Sequence, residues 1–319
     1  MRIAVVGAGI SGLVVAHVLH RSHEVTVFEA NAYPGGHAHT IRVDTTNETH
    51  MVDTEFVVFN DRNYPNFERL LERLAVDTQP STMSFSVSDG IGEFEYSSAS
   101  ANGLFANRAH LLTPWFVRMI AELARFNGAA RELLGQPGND VALGEWLERR
   151  RFSRAFIERL IVPQASAVWS ADPRQMWSFP ARFLAEFFDN HGMLSFRGRP
   201  RWRTIRGGSA RYVEALTRPF YGRLRLLTPV EAVTRDTDQV LVKPRGGEAE
   251  RFDEVVLATH SDQALALLRD ASDSERGQSP LRVGVGVLVC SSINDWRSAT
   301  GALARTDGAC RKATRAAAR

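Results

Sequence analysis

The N-terminal segment, residues 1–30, constrains the fold more than any other part of the chain. Residues 2–6, RIAVV, form a short apolar run of the kind found in buried parallel strands. GAGISG follows directly and places Gly7, Gly9 and Gly12 in the G-x-G-x-x-G spacing. A helix-like segment and a second apolar run, EVTVFE, complete the segment and end at Glu29. This order of strand, glycine turn, helix and strand predicts a Rossmann-like unit that binds a dinucleotide.

Each glycine has a physical role in such a unit. Gly7 allows the tight turn, Gly9 lets backbone N–H groups approach a pyrophosphate, and Gly12 lets the helix pack closely on the strand. The helix N-terminus directs the positive end of its dipole at the phosphates. Glu29 lies about 20 residues after the loop, where an acidic side chain accepts hydrogen bonds from a ribose. NAD and FAD both satisfy these requirements.

A second glycine pair follows at once, in the stretch AYPGGHAHT. Gly35 and Gly36 could form another backbone turn against the same dinucleotide. The stretch resembles the glycine-doublet signature R-x-G-G-R-x-x-[ST] of the flavin amine oxidase and phytoene desaturase superfamily. Thr40 matches the end of that signature, whereas His37 stands where the superfamily usually has arginine. A histidine can still donate to a phosphate, so the resemblance implies FAD as the cofactor.

Further stretches extend the resemblance over about residues 1–276. They are similar to predicted bacterial NAD/FAD-binding oxidoreductases associated with cyclopropane-fatty-acid synthases, and they lie at residues 52–90, 167–173, 177–194, 202–216 and 255–265. The family pattern D-T-G-F reads Asp53-Thr54-Glu55-Phe56 here. The resemblance places this position close to the flavin, so we expect the Glu55 carboxylate to disfavour the cofactor.

The predicted fold class is α/β, with a Rossmann-like FAD-binding domain of the glycine-doublet type and an inserted, mainly helical substrate domain. The FAD-binding domain is expected to be discontinuous, at residues 1–97 and 201–270, with the substrate domain at 98–200. Periodicity predicts helices from Pro65, from Pro114 to about Leu134, and near residues 140–150, 153–162 and 180–190. A hairpin is predicted at residues 81–96, and a final buried strand at DEVVLATH, whose residues 258–260 should pass near the cofactor.

The segment after residue 276 differs in kind from the rest. It holds both cysteines, Cys290 and Cys310, and seven basic residues against two acidic ones. We expect residues 277–319 to be an atypical tail, disordered or read out of frame, with the C-terminal part of the family's domain missing. The alternative is one strand at residues 282–289 followed by a disordered basic tail.

The resemblance also identifies the cofactor-binding residues. Val230, in the strand PVEAV, is expected to give backbone contacts to the adenine. The full predicted set is Gly7, Gly9, Ser11, Gly12, Glu29, Ala30, Gly35, Gly36, His37, Thr40 and Val230. No catalytic residue is assigned, and no metal site is expected, because no Cys/His cluster accompanies His37 and His39.

The predicted function is an FAD-dependent oxidoreductase that oxidises a C–H bond by hydride transfer to flavin. Classical amine oxidases of the superfamily keep a lysine that holds a water by the flavin, and Lys243 is the one lysine before the tail. Simple amine oxidation is therefore disfavoured, and a lipid or fatty-acyl substrate is favoured. Alternatives are a truncated, catalytically impaired flavin-fold protein and an NAD-dependent dehydrogenase.

Composition limits the remaining classes of function. With 44% hydrophobic and 24% charged residues the chain is globular. Its net charge of +3 comes from the basic tail, which carries +5 against −2 on residues 1–276. We therefore expect no nucleic-acid partner. The absence of a long apolar run predicts a cytoplasmic protein. Two basic, aromatic stretches, 146–156 and 196–206, could contact anionic lipid. Trp169, Trp177, Phe183, Phe187 and Phe188 could line an apolar pocket, and the oligomeric state is not predicted.

Overall fold

Two compact units make up the chain. The computed structural model describes residues 1–89, 94–98, 100–136, 138, 141–169, 171–195, 198–277 and 288–291. The first unit comprises Met1–Phe56 and Gly207–Arg319, and the second comprises Val57–Arg206. The second unit is therefore an insertion in the sequence of the first.

The strands are, in chain order, Arg2–Val6 (β1), Glu24–Phe28 (β2), Thr40–Asp44 (β3), Thr49–Asp53 (β4), Phe59–Asn60 (β5), Thr78–Pro80 (β6), Ser86–Ser88 (β7), Glu95–Ser97 (β8), Trp202–Ile205 (β9), Leu224–Arg225 (β10), Val230–Arg235 (β11), Val240–Pro244 (β12), Glu250–Phe252 (β13), Glu254–Leu257 (β14) and Leu288–Ser291 (β15).

The α-helices are Ile10–Leu19 (α1), Pro65–Arg73 (α2), Ala101–Leu104 (α3), Pro114–Gly135 (α4), Leu143–Arg149 (α5), Arg154–Phe156 (α6), Val162–Trp169 (α7), Ala181–Asn190 (α8), Ala210–Thr217 (α9), Ser261–Leu267 (α10) and Asp273–Gly277 (α11). A π-helical turn spans Ile157–Ile161, and 3₁₀ turns span Arg108–Leu112, Pro173–Ser178 and Arg218–Arg223.

A sheet in the order β10-β2-β1-β14-β15 forms the centre of the first unit. β1 pairs in parallel with β2 on one side and with β14 on the other, and β10 continues the parallel arrangement beside β2. The apolar run of β1 is buried from Ile3 to Val6, as expected for a central parallel strand. The predicted strand–glycine turn–helix–strand unit and the predicted final strand are both confirmed.

A second sheet of the first unit, β11-β12-β13, is antiparallel. It packs over the central sheet and shares one apolar core with it. That core contains Ala4, Val6, Phe28, Val233, Val240, Val242, Phe252, Val255, Leu257, Ala264, Leu268 and Ala271. The core fixes the carboxyl ends of β1 and β2, from which the glycine loop and Glu29 project.

The second unit is mainly helical, with a small sheet in the order β5-β9-β6 and the hairpin β7-β8. Phe126 of α4 lies at the centre of its aromatic core, with ring centroids 5.7 Å from Phe156 and 6.2 Å from Phe188. The predicted hairpin is confirmed in β7 and β8, while the turn at residues 90–92 lies outside the described residues. The predicted boundary at residue 97 falls inside this unit, because β5 and β6 both pair with β9.

The helix predicted near residues 153–162 is wrong at its C-terminal end, since helical structure continues to Trp169. Pro163 lacks the N–H that would bond the carbonyl of Arg159, four residues earlier. The chain widens there into the π-helical turn at Ile157–Ile161. The Tyr96 hydroxyl donates to the Arg159 carbonyl at 3.0 Å and satisfies it. Tyr96 is buried, and burial raises the pKa of its phenol.

Four residues of the predicted atypical tail, Leu288–Ser291, form β15, which pairs antiparallel with β14. These four residues are paired with β14, and the prediction of an atypical tail stays a prediction. The alternative of a strand at residues 282–289 agrees with β15 at residues 288 and 289. The rest of the tail lies outside the described residues. Within the described ranges, none of the helices combines the length and the apolar character needed to cross a bilayer.

Candidate cofactor site and cavity

The first glycine loop connects β1 to α1 in the geometry that close packing requires. Gly7 has φ +102°, and its N–H donates to the Phe28 carbonyl at 2.8 Å. A Cβ at Gly7 would lie 2.6 Å from the Ala258 carbonyl oxygen, and one at Gly12 would lie 2.0 Å from the Gly7 carbonyl oxygen. Side chains are therefore excluded at both positions by the protein itself.

Gly9 is different, because nothing in the protein requires a glycine there. Its φ of −67° and ψ of 173° suit any residue, and a Cβ at this position would meet no protein atom within 4 Å. Gly9 is also the N-cap of α1, and no side chain caps that helix end. Ser11, half-buried, follows in the first turn. Open space thus lies in front of an uncapped helix N-terminus, which suits a phosphate.

Glu29 lies just beyond β2 and is 8% exposed. Its Oε2 accepts a hydrogen bond from the Ala8 backbone N–H at 2.7 Å, and its Oε1 accepts one from the Asn31 N–H at 2.8 Å. The carboxylate therefore holds the glycine loop as well as the turn that follows β2, in which Ala30 is exposed. Each carboxylate oxygen has a second acceptor direction, so contact with a ribose hydroxyl is still feasible.

The glycine doublet lies directly against the first loop. The Gly35 N–H donates to the Ala8 carbonyl at 2.7 Å, and Gly35 forms a parallel bridge with Gly9. Gly36 has φ +59°, and a Cβ there would lie 3.1 Å from the Gly9 Cα. The two glycine turns belong to separate sequence motifs, but their backbones are in contact and form one continuous surface.

His37, directly after the doublet, faces Glu55. Their Nε2 and Oε2 atoms are 3.5 Å apart, and the two side chains are 65% and 56% exposed. The His260 ring lies 6.0 Å from the His37 ring. Glu55 therefore competes with any phosphate for His37, a contact that only the folded chain could reveal.

Thr40 and Val230 each have a structural role in the first unit. The Thr40 hydroxyl donates to Asp53 Oδ1 at 2.6 Å and accepts from the Ala210 N–H at 2.8 Å. Asp53 Oδ1 also accepts from the Ser209 N–H at 2.8 Å, so Thr40 and Asp53 cap the start of α9. Val230 begins β11, half-buried against the core. Their predicted contacts to a cofactor stay predictions.

Sequence reasoning missed the capping role of Asp53, although the Gly207-Gly208-Ser209 stretch before a helix was a usable signal. It did anticipate the return of the chain at residues 258–260. The Ala258 N–H donates to the Val6 carbonyl at 2.8 Å, and Ala258 touches the positions of Gly7 and Gly12. The residue that follows β14 therefore packs directly against the glycine loop.

A large cavity, of about 1080 Å³, lies within the second unit. One wall is formed by α4, the π-helical turn, α7 and α8, and the other by β5, β6, β9 and residues 81–85. The helical wall is mostly apolar, with Leu123, Phe126, Leu160, Phe187 and Phe188. Its size is at the upper end of the range for ligand pockets. Phe187 and Phe188 therefore line a pocket as predicted.

The other three predicted pocket aromatics do not line this cavity. Trp169 packs beside Phe179 and Phe187, with centroids 4.7 Å and 4.8 Å away, while Trp177 and Phe183 are exposed.

The lining of the cavity also includes charged side chains. Of the described residues that line it, the acidic ones are Asp61, Glu68 and Glu72, and the basic ones are Arg199, Arg201 and Arg203. Arg201 Nε donates to Asp61 Oδ2 at 2.9 Å and holds the pKa of that carboxyl below its usual range. In the same described ranges, no group of three or more His, Cys, Asp or Glu side chains could hold a metal ion.

Comparison with solved structures gives the fold. A redesigned putrescine oxidase matches with a TM-score of 0.64 at 16% identity, over 88% of this chain and 63% of that one. Cyclohexylamine oxidase from Brevibacterium oxydans matches with a TM-score of 0.64 at 18% identity, over 87% and 62%. A CLA-producing fatty acid isomerase from P. acnes matches with a TM-score of 0.55 at 18% identity, over 87% and 63%.

The chain thus spans less than two thirds of the length of these structures, and at such identities they establish the fold alone. None of these comparisons bears on the predicted association with cyclopropane-fatty-acid synthases. The family model for flavin containing amine oxidoreductases matches residues 10–280, most of the chain, including α1, Glu29 and the glycine doublet. The chain belongs to the flavin containing amine oxidoreductase family.

Proposed function

We propose that this chain holds FAD against its two glycine turns and acts as an oxidoreductase on an apolar substrate. The observation that carries the proposal is the contact of the glycine doublet with the first glycine loop, through Gly35 and Gly9. A Rossmann-like unit for NAD requires the first loop alone. The additional turn favours FAD, in agreement with the family.

The residues present fit this cofactor. The open space at Gly9 and the uncapped start of α1 suit the pyrophosphate, with backbone N–H groups as donors. Glu29, fixed by Ala8 and Asn31, suits a ribose hydroxyl. A role of His37 as a phosphate donor belongs to the proposal, since its ring faces Glu55 in this structure. FAD, when bound, supplies the acceptor for a hydride from a substrate C–H bond. The protein's part is to orient the substrate and to exclude water.

The apolar cavity supports the lipid-like substrate class. Phe126, Phe187 and Phe188 bind apolar chains by burial of surface, at about 25 cal/mol per Å². The same fold occurs in a protein named as a fatty acid isomerase. Lys243 lies 3.6 Å from Glu231 across two strands and is half exposed, which supports a surface role for this lysine.

The ion pairs of the basic side chains do not support the predicted contact with anionic lipid surfaces. Arg149, Arg150 and Arg154 form ion pairs with Glu145, Glu132 and Glu158, respectively. These pairs leave little free positive charge on the stretch 146–156. In the second stretch, residues 196 and 197 lie outside the described residues. We therefore treat the substrate, not a membrane, as the apolar partner.

The purified full chain provides the test. We expect a yellow protein whose released cofactor is FAD by mass and whose flavin absorbance bleaches when an apolar substrate is added without oxygen. A colourless chain that binds NADH after incubation supports the dehydrogenase alternative instead. A colourless chain that binds neither nucleotide overturns the proposal and supports the alternative of an impaired flavin-fold protein.

A further inference from the structure

Two histidines of the first unit lie side by side next to the glycine turns. The centroids of the His37 and His260 rings are 6.0 Å apart, and both side chains are exposed. His37 directly follows the glycine doublet, whose Gly35 forms a bridge with Gly9. His260 lies two residues after Ala258, which packs against the first glycine loop. The two imidazoles therefore come from separate segments, each of which is fixed on the first glycine loop.

Glu55 adds a negative charge to this pair. Its Oε2 lies 3.5 Å from His37 Nε2, and both side chains are more than half exposed. Of the acidic side chains that the structure describes, Glu55 is the one that forms an ion pair with either histidine. His37, His260 and Glu55 thus form one exposed cluster, and we call it the histidine cluster.

The other ionisable groups on the surrounding segments have different surroundings. Asp53 accepts from the Thr40 hydroxyl at 2.6 Å. The His39 ring stacks on the Tyr33 ring, with centroids 4.3 Å apart. Asp262 lies exposed in the first turn of α10. Carboxylates keep their charge between about pH 5.5 and about pH 8.5, whereas imidazoles lose theirs across this range.

Acidification therefore reverses the charge of the histidine cluster. With ordinary imidazoles, the cluster carries about −1 at about pH 8.5, from Glu55 alone, and about +1 at about pH 5.5, where two imidazolium groups outweigh the one carboxylate. The two phosphate groups of FAD stay ionised over the whole range. The cluster should consequently repel the pyrophosphate at alkaline pH and attract it at acid pH.

We propose that His260 and His37 together form a proton-dependent anion site for the FAD pyrophosphate, with Glu55 as the opposing charge. The identity of the ligand rests on the proposed function. His260 extends the cofactor site from the glycine doublet to the segment that follows β14. The site holds FAD more tightly as the pH falls, and it does so through side chains that the glycine motifs do not include.

The test is titration of the apoprotein with FAD at about pH 5.5 and about pH 8.5, on either side of the titration of an ordinary imidazole. Each exposed charge pair changes affinity about twofold to fivefold. We therefore expect wild type to bind FAD about fourfold to 25-fold more tightly at the lower pH in low salt, with a smaller ratio in high salt. His260→Gln and His37→Gln should each reduce the ratio to about twofold to fivefold, and the double variant should abolish it.

Two other histidines provide matched controls. His50 lies 3.7 Å from Glu48 in a similar exposed pair, on the hairpin of β3 and β4. His39 lies close to the doublet in sequence but stacks on Tyr33. His50→Gln and His39→Gln should both keep the wild-type ratio. Equal FAD affinity at the two pH values, or a ratio that is lost in His39→Gln and kept in His260→Gln, overturns the proposal.

ADP-ribose separates this inference from the proposed function, because it carries the same pyrophosphate without the flavin. If the chain binds ADP-ribose with the expected pH dependence but does not bind FAD, the anion site is supported and the FAD assignment is overturned. FAD binding that is independent of pH supports the FAD assignment and overturns the anion site. A chain that binds neither ligand by calorimetry overturns both.

Discussion

Replacement of Gly9 by leucine separates cofactor binding from folding. The backbone of Gly9 has φ −67° and ψ 173°, which leucine adopts without strain, and its Cβ would meet no protein atom within 4 Å. Gly7 and Gly12 offer no such test, because a Cβ at either would overlap protein backbone. The chain with Gly9→Leu should therefore fold normally while its side chain fills the space in front of α1.

The expected loss follows from the hydrogen bonds that this side chain blocks. Backbone N–H groups at the start of α1 donate to a charged phosphate, and each such bond contributes about 1.5–3 kcal/mol. Loss of one of them weakens FAD binding about 10-fold to 150-fold. Direct overlap of the leucine with the pyrophosphate should raise this further, to effective loss of binding.

The assay is titration of apoprotein with FAD, followed by flavin fluorescence, with the unfolding midpoint measured on the same samples. Gly222→Leu is the matched control, since a Cβ at Gly222 also meets nothing within 4 Å and that residue lies outside both glycine turns. Unchanged FAD affinity in Gly9→Leu would refute the cofactor site. A lowered unfolding midpoint without FAD would refute the statement that the protein leaves this space free.

Three further outcomes can be checked. Glu29→Ala should weaken FAD binding by about 1–3 kcal/mol and should also destabilise the apoprotein by a similar amount, because two backbone N–H groups lose their acceptor; urea unfolding with and without FAD separates the two effects. Glu55→Gln should remove the ion pair with His37 and strengthen FAD binding about twofold to fivefold in low salt, which is the scale of an exposed ion pair. An FAD affinity that is unchanged in both low and high salt would show that His37 does not reach the cofactor. Arg235 donates hydrogen bonds to the Glu275 carboxylate and lowers its pKa from 4.5 to about 2. This carboxylate therefore stabilises the fold by up to about 3 kcal/mol above pH 4.5 and loses that effect as the pH falls towards 2. The free energies of unfolding of Glu275→Gln and wild type should differ at pH 6 and converge near pH 2.

The N-terminal site could be predicted from sequence because it is built from backbone. Strand periodicity, glycine spacing and the acid after β2 are all local signals, and the structure follows them from β1 to Glu29. A second glycine turn at Gly35 and Gly36 was also predicted, but its direct contact with Gly9 was not. The contact of His37 with Glu55 was not, because no local pattern links two exposed side chains on different segments.

Apart from the two pocket aromatics Phe187 and Phe188, the lining of the cavity could not be predicted, for a related reason. Asn127 lies on α4, Gln164 on α7 and His191 directly after α8, and each alone looks like an ordinary polar residue. The tautomer of His191 depends on the Phe187 carbonyl, and therefore on α8 ending at Asn190. Helical structure continues past Pro163 to Trp169, and the Arg159 carbonyl accepts from the Tyr96 hydroxyl, far away in sequence.

The glycine turns and the histidine cluster should respond to mutation in opposite ways. At the glycine turns the ligand would meet main-chain N–H groups, so most side-chain deletions there should matter little and added atoms, as in Gly9→Leu, should matter greatly. At His37 and His260 the ligand would meet ionisable side chains, so removal of an imidazole should change the pH dependence of binding and have little effect on affinity at alkaline pH. A survey of substitutions at Gly9, Gly36, His37 and His260, scored separately for FAD affinity and for its pH dependence, would reveal this division. If added bulk at Gly36 left FAD binding intact while removal of nearby side chains abolished it, the site would be a side-chain site, and the backbone argument for FAD would fail.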